Sequence, residues 1–265
     1  MTEIALILEP PIARIRLARP DRRNAMSRAM WRALPTLCAR IAAAPETLVV
    51  IVEGSHGHFC AGADIAEFET VYRDAAATRD YTDAIQVGLA ALAALDRPTI
   101  AALRGNAIGG GLALALCCDL RFCAADAVLA ITPARLGLLY GFVETRRLVE
   151  TVGPARAKDL LFSGRRIGCS EALAIGLIDR LVDPASLDAV VSAYAEDLAR
   201  LSQLSIRGAK FAVDAIAGGL SAETGAFRAL VEQAAAGEDF AEGRAAFMAK
   251  RTPRFGFRGR GAPVD

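Results

Sequence analysis

An α/β fold with an all-helical C-terminal region is the architecture that this 265-residue sequence predicts. Three observations carry the expectation. Short β-rich runs alternate with helical segments up to about residue 182. One of those runs, Leu48–Val52, is apolar at every position, the mark of a strand buried on both faces. Beyond Asp183-Pro184 the strand signal stops, and apolar residues recur only at helical spacing. With 54% hydrophobic and 23% charged residues the chain has ample apolar surface to bury, which excludes disorder.

The elements follow in order. Ile4–Leu8 and Ile12–Leu17 read as a strand pair turned at Pro10-Pro11. Ser27–Ala44 reads as a helix that Pro35 is expected to kink. After the Leu48–Val52 strand come a helix over Thr78–Leu95, a strand over Pro98–Leu103 and a helix over Gly111–Cys118. Leu120–Cys123, Val128–Ile131 and Ile178–Val182 are further strands, and a helix begins at about Phe142. Leu187, Val190, Val191, Tyr194, Leu198 and Leu201 then mark one helical face. Helices at Ile206–Ala217, Ala222–Ala236 and Phe240–Lys250 complete the chain, and the last dozen residues form an Arg- and Gly-rich tail. The division predicted is an α/β core over 1–183 and a helical region over 184–265.

Charge narrows the function classes. Thirty-one basic residues against thirty acidic leave a net +1, without the basic excess expected of a protein that grips nucleic acid by its phosphates. Lysine occurs only at 158, 210 and 250. No basic segment followed by an apolar run and a small-residue cleavage site opens the sequence, so no secretion signal is expected. The longest apolar stretch, Ala107–Cys118, is too short to span a bilayer. The six cysteines show no CxxC pairing and have only His56 and His58 to help them, so we expect no metal and read them as buried, reduced thiols of a cytoplasmic protein.

Chemistry is suggested by two Gly-centred segments that each follow a strand. The first is Phe59-Cys60-Ala61-Gly62-Ala63-Asp64-Ile65, and the second runs from Gly105-Asn106 through Gly109-Gly110-Gly111 to Ala113. Glycines that open a helix let a ligand approach backbone N–H groups with no intrahelical partner, where the helix dipole favours negative charge. Taken alone, the triple glycine reads as tight helix–strand packing, and neither a dinucleotide nor a P-loop fingerprint occurs there.

Together the two segments resemble the crotonase superfamily, the enoyl-CoA hydratase/isomerase family. The resemblance spans nearly the whole chain. It runs from Arg19-Pro20 and Arg23-Asn24-Ala25 through FCAGADI and GNAIGGGLALALCCD to Leu136-Gly137 and Gly153-Pro154-Ala155-Arg156-Ala157. It ends at Glu242-Gly243, Phe247, Lys250-Arg251, Pro253 and Phe255. It implies a spiral of ββα units with a C-terminal trimerisation region, assembled as a homotrimer or a dimer of trimers. The implied substrate is an acyl-CoA thioester, with coenzyme A entering as part of the substrate and no prosthetic group. Two backbone N–H groups, at Ala63 and Gly110, would form an oxyanion hole for a thioester enolate. Arg23, Asn24 and Ala25 would line the coenzyme entry, and the backbone around Ala61, Gly62, Asp64 and Ile65 would hold the adenine. Phe247 and Lys250 would reach the nucleotide from a neighbouring subunit. Arg258 and Arg260 read as a solvated basic end.

The sequence departs from a hydratase. The two glutamates that such enzymes use fall on Ala113 and on Pro133 or Ala134, none of which carries a carboxylate. Gly141 stands where some isomerases of the family place an acid. Tyr140 and Glu144 remain as the nearby candidates, with Glu67 and Glu69 behind them. Thr132 to Tyr140 resembles the corresponding segment of the family's methylmalonyl-CoA decarboxylases, although those carry His where Ala63 stands. Decarboxylation needs no base to begin, so a malonyl-type-CoA decarboxylase with Tyr140 orienting the substrate carboxylate ranks first. An enoyl-CoA hydratase or isomerase using Glu144 follows. A non-catalytic acyl-CoA-binding homologue is third, and RNA binding, which in one branch accompanies a Lys-rich helix, is last. The bland reading of Tyr140 is packing at the pocket edge, and that of Glu144 is a first-turn acid favoured by the helix dipole.

Overall fold

The computed structural model describes residues 3–258. Strands β1 (Ile4–Glu9) and β2 (Ile12–Leu17) form the expected antiparallel pair and lead into α1 (Arg28–Ala42). Next come β3 (Val49–Gly54), the short α2 (Phe68–Val71) and α3 (Ala75–Ala93). The middle of the chain forms β4 (Thr99–Leu103), β5 (Asn106–Ile108), α4 (Gly110–Leu116), β6 (Leu120–Ala124) and β7 (Val128–Ala130). Then follow α5 (Phe142–Ser163), β8 (Arg166–Gly168), α6 (Cys169–Ala174) and β9 (Arg180–Val182). Helices α7 (Leu187–Ala199), α8 (Gln203–Ala217), α9 (Gly225–Ala236) and α10 (Glu238–Met248) close the described chain. Arg260 and most of the tail lie outside the described residues.

Six strands form one sheet in the order β1-β2-β3-β4-β6-β9, parallel from β2 onward, and β5, β7 and β8 form a second. The unbroken apolar run of β3 is explained by two cores. Val50 and Val52 face the larger one with α1, α3 and α4, while Val49 and Ile51 face a smaller one capped by Leu187, Val191 and Ala195 of α7. All six cysteines are free and buried. Among the described residues no helix is long and apolar enough to cross a membrane.

Three details go beyond what the sequence pattern shows. Helix α1 runs continuously through Pro35. Proline removes the donor that Trp31's carbonyl would have used, and that oxygen lies against Gly88 of α3, where an added Cβ would come within 2.8 Å of it. The three-residue strands β5 and β8 had no periodicity to betray them. Helix α5 carries Gly153-Pro154 in its middle, with Gly153 at φ 77°, so two helical pieces meet at a kink.

Candidate active site

The site forms where the two Gly-centred segments meet. A parallel bridge pairs Cys60 with Ala107, and a second pairs Met26 with Ala63. In the latter, the Met26 N–H donates to Gly62 O at 2.7 Å and Asp64 N–H donates to Met26 O at 2.9 Å. That pattern turns the Ala63 N–H away from the bridge. Gly110 is the first residue of α4, so its N–H has no intrahelical acceptor. Among the described residues neither N–H has a hydrogen-bond acceptor. A Cβ built on Gly110 would lie 3.7 Å from the Ala63 nitrogen, and one on Gly62 would lie 4.0 Å from the Gly110 nitrogen. Two free donors therefore sit side by side on a part-exposed surface, the arrangement that stabilises a developing oxyanion. Gly109, at φ 50° and ψ −114°, makes the turn that a side chain would strain.

The rest of the first segment is tied down by buried polar contacts. Asn24 is fully buried. Its amide nitrogen donates to Ser55 O at 2.8 Å and His58 O at 2.7 Å, and its side-chain oxygen accepts from Arg19 N and the Ser55 hydroxyl. The Asn24 side chain is therefore spent on holding the loop, which leaves its backbone for the coenzyme contact expected of it. Asp64 pairs with Arg19 at 2.7 Å and accepts from Ala66 N–H at 3.1 Å. Burial opposes its charge, but the Arg19 hydrogen bond, the Ala66 N–H and the Arg19 and Arg22 charges outweigh burial and hold the carboxyl below its ordinary value. Ala25 is almost buried, and its carbonyl accepts from the Arg19 guanidinium. Arg23, in the left-handed region at φ 48°, is exposed, and its carbonyl accepts from Ala61 N–H at 3.0 Å. Ile65 is also exposed. Phe247 and Lys250 stand exposed at the end of α10.

Tyr140 and Glu144 come together at the start of α5. The Tyr140 hydroxyl donates to the carbonyl of Gly109 at 3.2 Å, which brings it to the oxyanion turn. Burial, then the charge of Glu144 and the nearby Cys117 thiol, push its ionisation well above the ordinary phenol range. Glu144 is 8% exposed, and among the described residues its Oε2 is buried without a hydrogen-bond partner. Burial raises its pKa, and its own backbone N–H only partly offsets that. Its carboxylate folds back over Gly141: a Cβ on that glycine would come within 2.6 Å of Oε1 and 2.7 Å of Cδ, and closer still to Oε2. A capping box would have this carboxylate accept the N–H of the residue before the helix, and no such bond is present among the described residues.

Burial pushes the Cys117 thiol up to about 12, with the Arg147 charge opposing the rise and the Glu144 charge adding to it. Glu144 thus lies over Gly141, one of the positions where an acid is missing. The other two candidate carboxylates are placed differently. Glu67 accepts from the Arg28 N–H at the start of α1 at 2.7 Å, and Glu69 is exposed on α2. His56 is exposed, and His58 accepts from Asn106 N–H. Pro133 and Ala134 lie on the turn before Gly137, which has no carboxylate.

A parallel-sheet core that presents two backbone donors beside a buried acid can stabilise an oxyanion such as a thioester enolate. The family model described as enoyl-CoA hydratase/isomerase matches residues 9–258. YngF of Bacillus subtilis (strain 168) is 35% identical over 246 residues, covering 91% of this chain and 92% of YngF. The human enoyl-CoA hydratase domain-containing protein 2, mitochondrial, is 35% identical over 254 residues, covering 92% of this chain and 85% of its own. The crystal structure of an enoyl-CoA hydratase/carnithine racemase from Magnetospirillum magneticum superposes with a TM-score of 0.91 at 35% identity, over 97% of this chain and 96% of that one. This chain belongs to the enoyl-CoA hydratase/isomerase family, the crotonase superfamily, and is an acyl-CoA enzyme.

Proposed function

We propose that this protein is an enoyl-CoA isomerase in which Glu144 is the single base that moves a proton along the acyl chain. One observation carries the reading. The Glu144 carboxylate is buried and half unpaired, and it occupies the space of a side chain on residue 141. The N–H groups of Ala63 and Gly110 receive the thioester oxygen. Glu144 takes the proton from C2 of a 3-enoyl thioester, the C–H pair forms C1=C2 and the carbonyl pair moves onto oxygen, giving a dienolate whose oxygen the two donors hold. The same carboxyl then returns the proton to C4, where the C3=C4 pair binds it as the C1=C2 pair shifts to C2=C3 and the oxygen pair restores the carbonyl, with no change in mass. One acid on one face suffices for this shuttle. Hydration asks for groups that both orient water and deliver a proton. A carboxyl raised by burial is the better base for it, since catalytic pKa values work best near the operating pH.

Decarboxylation of a malonyl-type thioester fits the geometry less well. The proton of the Tyr140 hydroxyl goes to Gly109 O, so it has none for an acceptor-only substrate carboxylate. Glu144 beside it would repel that carboxylate. The exposed Arg23, with Lys250, Phe247 and the backbone from Ala61 to Ile65, supplies the coenzyme contacts in this reading. Helices α7 to α10 would serve assembly into trimers, alone or paired, and the six free thiols suit a cytoplasmic enzyme.

The test is a mixture of crotonyl-CoA, a 3-enoyl-CoA, methylmalonyl-CoA and ethylmalonyl-CoA, followed by mass spectrometry and chromatography. A 3-enoyl thioester converted at unchanged mass, and lost in Glu144→Gln, supports the isomerase. Loss of carbon dioxide restores the decarboxylase, gain of water the hydratase, and survival of every thioester points to a binding homologue.

A further inference from the structure

We propose that Tyr140 is a positioning residue of the oxyanion hole: by donating to Gly109 O it orients and strengthens the Gly110 N–H of the same peptide unit. The proposal rests on the oxyanion hole invoked for the isomerase and not on the reaction that follows. The two donor peptides are built alike. The unit Gly62–Ala63 has its carbonyl held by the Met26 N–H at 2.7 Å, and the unit Gly109–Gly110 has its carbonyl held by the Tyr140 hydroxyl at 3.2 Å. The peptide is conjugated, so a proton donated to the oxygen draws density from the nitrogen and sharpens its N–H as a donor. Linked hydrogen bonds reinforce one another in this way by about 10–30%.

Orientation matters more at the second unit than at the first. Gly109 sits at φ 50° and ψ −114°, and α4 is seven residues long, so its backbone offers Gly109 O one helical donor, the Ala113 N–H at 3.0 Å. The phenol adds the second tether from a different element. Its ionisation is pushed well above the ordinary range by burial, Glu144 and Cys117, so it keeps its proton wherever the enzyme works. The 3.2 Å separation is long for an O–H···O bond, and such bonds tighten when charge builds on the partner they support.

The probes are acetoacetyl-CoA, whose bound enolate is followed by its ultraviolet band, and butyryl-CoA, which forms no enolate at neutral pH. Loss of a whole oxyanion donor costs about 10²- to 10³-fold. A 10–30% change in one donor therefore predicts about a two- to eightfold effect. In Tyr140→Phe the enolate of acetoacetyl-CoA binds about two- to eightfold more weakly and its ionisation on the enzyme moves to higher pH, while butyryl-CoA affinity stays unchanged. Placing 3-fluorotyrosine at 140, a more acidic donor of nearly the same shape, moves the ionisation to lower pH and keeps the test open if the phenylalanine variant folds poorly. An unmoved ionisation, or equal loss for both ligands, overturns the proposal. Neither readout needs turnover: failure of Glu144→Gln to affect isomerisation sinks the isomerase alone, whereas no enolate band with the unmodified protein sinks the oxyanion hole and this role with it.

Discussion

Gly141→Ala isolates the Glu144 carboxylate without touching it. Residue 141 has φ −62° and ψ 159°, a conformation any residue adopts. The new methyl would sit 2.6 Å from Oε1 and 2.7 Å from Cδ, whereas ordinary contacts begin at 3.4 Å, so the carboxylate must retreat by about 1 Å. What moves is the free end of a side chain rather than backbone, which keeps the structural cost small. Alanine is a poorer helix N-cap than glycine by about 1 kcal/mol, which lowers Tm by about 2–4 °C in a chain of this size. A displacement of 1 Å at a reacting group costs about 10²-fold in rate. The assay is isomerisation of a 3-enoyl-CoA, read by the absorbance of the conjugated thioester, beside thermal melts. Expected is about a hundredfold loss of kcat with a nearly intact Tm, and no further loss when Gly141→Ala is added to Glu144→Gln. Full activity in Gly141→Ala would mean that the carboxylate does not react from where it lies, and the reasoning would fall.

Other predictions follow from the same contacts. Because burial raises the Glu144 pKa in the folded state, that group adds stability below its unfolded pKa and loses it as pH rises through its folded value. Glu144→Gln should therefore be more stable than the unmodified protein at pH 7, by about 1–3 kcal/mol in denaturant midpoints, with the gap closing in acid. The acid limb of the kcat/KM profile should also be displaced upward from that of a free glutamate. Asp64 behaves oppositely: its depressed pKa gives stability above the unfolded value that is lost as pH falls through the folded one. Asp64→Asn should flatten that acid dependence and weaken coenzyme A binding by titration calorimetry. Asn24→Ala, which strands the Arg19 N–H and the Ser55 and His58 carbonyls, should cost about 2–4 kcal/mol of stability. Its exposed neighbour supplies the contrast, for Arg23→Ala should leave Tm alone and weaken coenzyme A binding, with a shallower salt dependence.

Much of this fold was legible because burial writes itself into periodicity. The all-apolar Leu48–Val52 run announced a strand between two cores, and the faces of α7 and α8 announced helices. What escaped were elements whose reasons are not local. Strands β5 and β8 exist because β7 offers them an edge on either side, and three residues are too few to show a pattern. The carbonyl that Pro35 frees in the unbroken α1 lies against Gly88, more than fifty positions away, which no local pattern could show. Asn24 looked like a ligand residue because it lies in a recognisable motif. Only the four hydrogen bonds that consume its side chain reveal its work.

The site was half legible for the same reason. The resemblance to the crotonase superfamily named Ala63 and Gly110 as the two backbone donors, whereas the residues by themselves offered only two glycine-centred segments after strands, where N–H groups can be bared to a ligand. The same resemblance marked 113, 133 or 134, and 141 as positions without the family's carboxylates. It could not say whether the chemistry was lost or relocated, because replacement need not come from the same position. A glutamate three residues into a helix can reach back over its N-cap, provided that nothing stands there, and Gly141 leaves that space open. Gly141 and the buried acid therefore form one feature. An empty acid position at a glycine argues for lost function only when no neighbouring carboxylate reaches its space, and the Glu144 carboxylate reaches that of Gly141.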